Sequence, residues 1–101
     1  VGQGFTVLAR NYKKMGGEID IVACRGNELI FVEVKTRKNP LFDMAEIIVP
    51  TKQKKIIIAA KYYMAEHNVG HYSCQFDVAL VAYSSPHGIN ITYIADAFRE
   101  E

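Results

Sequence analysis

Residues 16–37, GGEIDIVACRGNELIFVEVKTR, read as two β-strands joined at Gly26-Asn27. A Gly-Asn pair between apolar runs is a signal for a two-residue hairpin. Closing the strands on that turn sets Arg25 opposite Glu28, Cys24 opposite Leu29, Val22 opposite Phe31, Asp20 opposite Glu33 and Glu18 opposite Lys35. Opposed residues share a sheet face, and side chains alternate with period two. One face therefore runs through Val22, Cys24, Leu29 and Phe31 and then turns to charge at Glu18, Asp20, Glu33 and Lys35. The other carries Ile19, Ile21, Ala23, Ile30, Val32 and Val34. Strands apolar on both faces belong inside a covered sheet, so their charged end asks for a chemical reason.

The opposition of Asp20 and Glu33 is the sharpest feature. Their Cβ atoms are expected roughly 4.5–5.5 Å apart, where like charges destabilise a sheet. A raised pKa, the neighbouring Lys35 or a divalent cation would offset that repulsion. Two convergent carboxylates suit Mg²⁺ or Mn²⁺, which take oxygen ligands and keep several waters. A lysine two residues after Glu33 can position or deprotonate a water beside such a metal. The alternative is a plain Glu–Lys pair across the sheet with Asp20 partly exposed. The register decides, since a slip of one residue sends Asp20 and Glu33 to opposite faces.

Outward from the hairpin, Phe5–Asn11 reads as a first strand, Glu18–Arg25 as the second and Glu28–Thr36 as the third. Gly16-Gly17 breaks the chain between the first two. A polar loop holding Asn39-Pro40 follows, and Pro50 or Thr51 opens a helix to about His67. Ile56, Ala59, Ala60, Tyr63 and Met64 recur at helical spacing along its buried stripe. Gln75–Ala82 is a fourth strand, Ile89–Ile94 a fifth, and ADAFREE reads as a short helical end. The order βββαββ implies an α/β fold, a mixed sheet of about five strands flanked by helices. One helix covers only one face. The opening phrase VGQGF is typical of a helix-to-strand turn, so an N-terminal helix is expected upstream. Otherwise a partner chain, such as a homodimer copy, is the source of cover.

A length of 101 residues suits one domain, here 1–101, and 50% hydrophobic with 23% charged residues is ordinary for a globular chain. The longest apolar runs, such as Ile56–Ala60, fall far short of the roughly 20 residues that cross a bilayer. No charged leader precedes an apolar run at the start, so neither a signal peptide nor a membrane partner is expected. Cys24 and Cys74 lack metal spacing and are expected as buried, reduced thiols of a cytoplasmic protein. His67, His71 and His87 read as solvated residues of helix ends and loops. The net charge of +1 conceals segregation, because ten of twelve basic residues fall in three clusters. These are Arg10, Lys13, Lys14; Lys35, Arg37, Lys38; and Lys52, Lys54, Lys55, Lys61. Basic islands beside an acidic site are compatible with a phosphate-bearing partner, although solvated lysines are the ordinary explanation.

GGEIDIVA followed by ELIFVEVKTR resembles the core of the PD-(D/E)xK nuclease superfamily, with Asp20 and then Glu33-Val34-Lys35 as its motif. More closely, the chain resembles the YraN family of bacterial proteins, distant relatives of archaeal Holliday-junction resolvases. RNYK at Arg10–Lys13, TKQKK at Thr51–Lys55, FDVALVA at Phe76–Ala82 and ITYIADAF at Ile91–Phe98 extend the match over nearly the whole chain. The resemblance implies a restriction-endonuclease-like core with Asp20, Glu33 and Lys35 as catalytic residues. It further implies that both acids and the Val34 carbonyl bind Mg²⁺ for phosphodiester hydrolysis. The family usually begins with a helix whose glutamate can join the metal site, and this sequence lacks that helix.

Around that set, Glu18 and Gln53 are accessory candidates, since in related nucleases a glutamine at the start of this helix approaches the site. Lys52, Lys54 and Lys55 sit at a helix N-terminus, where the macrodipole disfavours cations. A bound phosphate would make sense of them, with Arg37 and Lys38 alongside. Asp77 is expected to be structural, paired with a lysine, while Phe42, Tyr62 and Tyr63 read as core or rim. The expected function is a Mg²⁺- or Mn²⁺-dependent DNA endonuclease acting on branched, recombination or repair intermediates. The alternatives are a non-catalytic nucleic-acid-binding or assembly module keeping the same fold, and a small adaptor without nucleic acid.

Overall fold

The computed structural model describes residues 4–38, 49–84 and 88–100. Five strands and one helix follow in the expected order: β1 Thr6–Lys14, β2 Gly17–Arg25, β3 Glu28–Arg37, α1 Pro50–Glu66, β4 Ser73–Ser84 and β5 Gly88–Phe98. The strands form one sheet in sequential order, antiparallel throughout except for the parallel β3–β4 pair. The protein is thus an α/β fold with a five-stranded mixed sheet.

Local chemistry sets the turns. Arg25 pairs with Glu28 across Gly26-Asn27, and Gly26 takes φ 59 as the tight turn requires. The β1–β2 turn falls one residue before the expected Gly-Gly break. Lys14 pairs with Gly17, and Met15 and Gly16 take φ 52 and 81, a pair of left-handed residues suited to a two-residue turn. Gly17 then belongs to β2, where a Cβ would lie 2.3 Å from the Lys55 carbonyl oxygen. Only glycine lets the strand pass the helix so closely.

Pro50 occupies the first turn of α1, and the helix ends at His67, with Asn68 at φ 55. Its buried stripe, Ile56, Ile57, Ala59, Ala60 and Tyr63, packs on β2 and β1. One core joins this stripe to Ile19, Val22, Leu29, Phe31, Phe76, Val78, Leu80 and Phe98. Ile19 is therefore a correction to the strict alternation, since it shares the helix-side core with Val22 rather than the face of Ile21 and Ala23. The opposite face carries no helix among the described residues. There Phe5, Val7, Ile21, Ile30, Val32 and Tyr93 help to line an open groove of about 760 Å³.

The carboxyl-terminal segment also departs from expectation. Of the expected helix ADAFREE, Ala95–Phe98 is strand instead, because β5 runs to Phe98. Phe98 stacks on Phe76 at 5.1 Å, and the backbone N–H of Asp96, at φ 53, donates to the Asp77 carboxylate at 2.8 Å. Asp77 is structural as expected, but its partners are Gln75, Tyr93 and the Asp96 backbone rather than a lysine. The cysteines are both free thiols, but Cys24 is half-buried and Cys74, the second residue of β4, is exposed. Tyr63 is core and Tyr62 is exposed. His67 and His71 are exposed, with His67 stacked on Tyr63 at 4.0 Å. Phe42 and His87 lie outside the described residues.

Candidate active site

The β2–β3 ladder keeps the turn-defined register from Arg25–Glu28 as far as Ile21–Val32. Asp20 and Glu33 would come next, and the backbone pairing stops there. Ile19 and Val22 both face the helix-side core, so one step of the alternation is lost at Asp20-Ile21. The neighbouring strand kinks at the same level: Asn11 takes φ 54 between the pairs Arg10–Ile21 and Tyr12–Ile19. Such irregularities re-aim side chains and end pairing beside functional sites. Freed from the ladder, the Asp20 carboxylate substitutes for a backbone acceptor, and Val34 N–H donates to its Oδ2 at 2.7 Å. Asp20 and Glu33 are neighbours as expected, but a side-chain contact joins them rather than a backbone pair.

Glu33 continues the face of Leu29 and Phe31 and is 8% exposed. It lines a pocket of about 390 Å³ with Glu18, Val49, Thr51, Lys52 and Lys55. Burial is the main force pushing its carboxyl from 4.5 up to about 7. The adjacent Asp20 carboxyl adds to the rise, and Lys52 opposes it. Lys52 Nζ forms an ion pair with Glu33 Oε2 at 3.3 Å, without a well-aligned hydrogen bond. The Lys35 ammonium is shifted below its ordinary range by the neighbouring Lys52 and by burial, with Glu33 partly offsetting both. Two acids and two lysines therefore meet where the C-terminal half of β3 faces the first turn of α1.

The other candidates divide. Glu18 reaches the same pocket, although it pairs with Lys13 at 3.7 Å rather than standing opposite Lys35. Gln53 and Lys54 line a separate groove with Ile57, Ile58, Lys61 and Arg99, while Lys55 stays with the Glu33 pocket. Arg37 and Lys38 are exposed beyond Lys35, with Arg37 Nη1 donating to the Thr36 carbonyl at 3.0 Å. Among the described residues no three His, Cys, Asp or Glu side chains gather into a metal-binding group. No described helix is long and apolar enough to cross a membrane. The sequence reading missed Lys52 as the direct partner of Glu33. Its signal was a first helical turn holding lysines and no acid to pair with them.

Fold and site together define an α/β protein whose central strands bring a buried glutamate, a partly buried aspartate and a lysine together. Residues 1–81 match the uncharacterised protein family UPF0102, to which this chain belongs. This is the YraN family that the motifs resembled. A UPF0102 protein of Hahella chejuensis is 40% identical over 97 residues, covering 95% of this chain and 77% of the relative. Relatives from Gloeobacter violaceus and Geotalea daltonii are 42% and 40% identical, covering 95% and 96% of this chain and 79% and 77% of their own lengths.

Proposed function

We propose that this chain is a metal-dependent nuclease that hydrolyses DNA phosphodiester bonds, with branched, recombination or repair intermediates as its substrates. The observation that carries this reading is Glu33, a buried acid beside a second acid, with the Lys52 ammonium 3.3 Å from its Oε2. A buried carboxylate oxygen held only by an ammonium 3.3 Å away fits a hard divalent cation. Asp20 and Glu33, with the Val34 carbonyl, would hold Mg²⁺ or Mn²⁺, and Glu18 is near enough to the pocket to assist. Bound there, the ion would make water a nucleophile at neutral pH and neutralise charge developing on the phosphoryl oxygens. Lys35 is suited to orient the attacking water and to exchange a proton at Nζ, because its ammonium is already easier to deprotonate than usual. Lys54, Lys55, Arg37 and Lys38 provide exposed cations for neighbouring phosphates.

The test is cleavage of linear, flapped and four-way DNA with Mg²⁺, with Mn²⁺ and with chelator. Metal-dependent cleavage lost in both Asp20→Asn and Glu33→Gln supports the reading. Absence of cleavage on every substrate, with no saturable metal binding, removes it. A second reading is favoured because, among the described residues, no three His, Cys, Asp or Glu side chains gather to hold a metal. On that reading the chain is a nucleic-acid-binding module that keeps the fold, and DNA binding would persist unchanged in chelator and in both variants.

A further inference from the structure

Lys52 is the third residue of α1, and its side chain is 36% exposed, against 9% for the Glu33 side chain it accompanies. The ion pair is open, with Nζ 3.3 Å from Glu33 Oε2. No acid in the first helical turn offers Lys52 another partner, and the macrodipole makes that turn a poor place for a cation. Lys35 adds a second ammonium beside it. The arrangement balances two lysines against two acids, and a divalent ion on the same acids would leave a large positive excess. Moving one ammonium away relieves that excess. Lys35 is held in β3 between its neighbours in the central sheet, whereas Lys52 is half in water on a long flexible stem.

Resting on the nuclease reading above, we infer that Lys52 is the site's resident counter-cation. It neutralises Glu33 in the metal-free protein, yields that carboxylate to a divalent ion, and then turns to a phosphate of the bound strand. Metal binding thereby exchanges an internal ion pair for a DNA contact, so the two ligands help one another through a single side chain. Lys55, which lines the same pocket without pairing to Glu33, serves as the control.

The experiment is Mn²⁺ titration by calorimetry of the parent, Lys52→Met, Lys52→Arg and Lys55→Met. DNA binding is measured in parallel, in chelator and in Ca²⁺. Lys52→Met is expected to bind Mn²⁺ about three- to tenfold tighter than the parent, the scale of an ion pair with one partner half in water. Its DNA affinity should match the parent in chelator and fall below it in Ca²⁺. Lys52→Arg should behave like the parent, and Lys55→Met should weaken DNA binding under both conditions without tightening Mn²⁺. Unchanged or weaker Mn²⁺ binding by a folded Lys52→Met protein overturns the inference while the nuclease reading stands. If Lys52→Met does not fold, Lys52→Gln takes its place under the same criteria. A parent without saturable Mn²⁺ binding overturns both, and the parent titration alone reveals that case.

Discussion

Between pH 4.5 and 7 the folded protein holds a proton on Glu33 that the unfolded chain releases, because burial and Asp20 raise this carboxyl to about 7. Folding therefore binds protons in that window, and stability falls as pH rises through it. Below the window both states are protonated and no penalty remains; above it the full penalty applies, on the order of 3 kcal/mol. Urea melts of the parent from pH 4 to 8 should show this decline, and Glu33→Gln should remove it and be the more stable protein at pH 8. Asp20 acts on the same proton. Asp20→Asn keeps an acceptor for Val34 N–H but removes the neighbouring charge, so the Glu33 carboxyl should titrate closer to 4.5 by carbon-13 NMR. Asp20→Ala loses the acceptor as well and should cost about 1–3 kcal/mol. An Asp20→Asn protein whose Glu33 still titrates near 7 would show that the two acids are not coupled.

Among the elements, the hairpin was legible because a Gly-Asn turn fixes its register by local chemistry. The ladder from Arg25–Glu28 to Ile21–Val32 follows it pair by pair. The kink at Asp20 was not legible, since it answers a matching irregularity at Asn11 in another strand. The helical stripe was readable from spacing, and the structure adds Ile57 to it. ADAFREE misled because Ala, Glu and Arg favour helices, whereas the Phe98–Phe76 stack and the Asp77–Asp96 bond require a strand. Lys52 was read as a phosphate ligand because nothing in a single sequence brings Glu33 to the helix. Gly17 is the element-scale counterpart of that contact. Gly17→Ala should destabilise by about 1–3 kcal/mol in denaturant melts, because its Cβ cannot occupy a point 2.3 Å from the Lys55 oxygen without moving the helix. If the helix does move, Lys52 and Glu33 separate, and the decline in stability with pH should steepen.

At the scale of the whole molecule, a net charge of +1 gives little long-range attraction for DNA. On the nuclease reading, binding would come from the local set Lys52, Lys54, Lys55, Arg37 and Lys38. The logarithm of affinity should fall linearly with the logarithm of salt, with a slope near −0.9 for each phosphate neutralised. Charge reversal at Lys54 and Lys55 should flatten that slope and weaken binding to all sequences alike in fluorescence anisotropy. A salt-independent affinity would exclude a phosphate-led interface.

The parallel junction of β3 and β4 has a consequence for synthesis. Its paired residues lie about 45 positions apart, so β3 leaves the ribosome roughly 2–9 s before its second neighbour at ordinary elongation rates. During that interval β1, β2 and β3 can already be paired through their short turns, leaving one long edge of β3 exposed. That edge reads ELIFVEVKTR, and without Glu33 and Lys35 it would be a nearly unbroken β-prone apolar run. Charges within an unpaired strand deter pairing with a neighbouring nascent chain. The same two residues therefore guard the unfinished sheet. Replacing both with valine should raise the aggregated fraction in cell-free translation, even if the finished protein is the more stable for it.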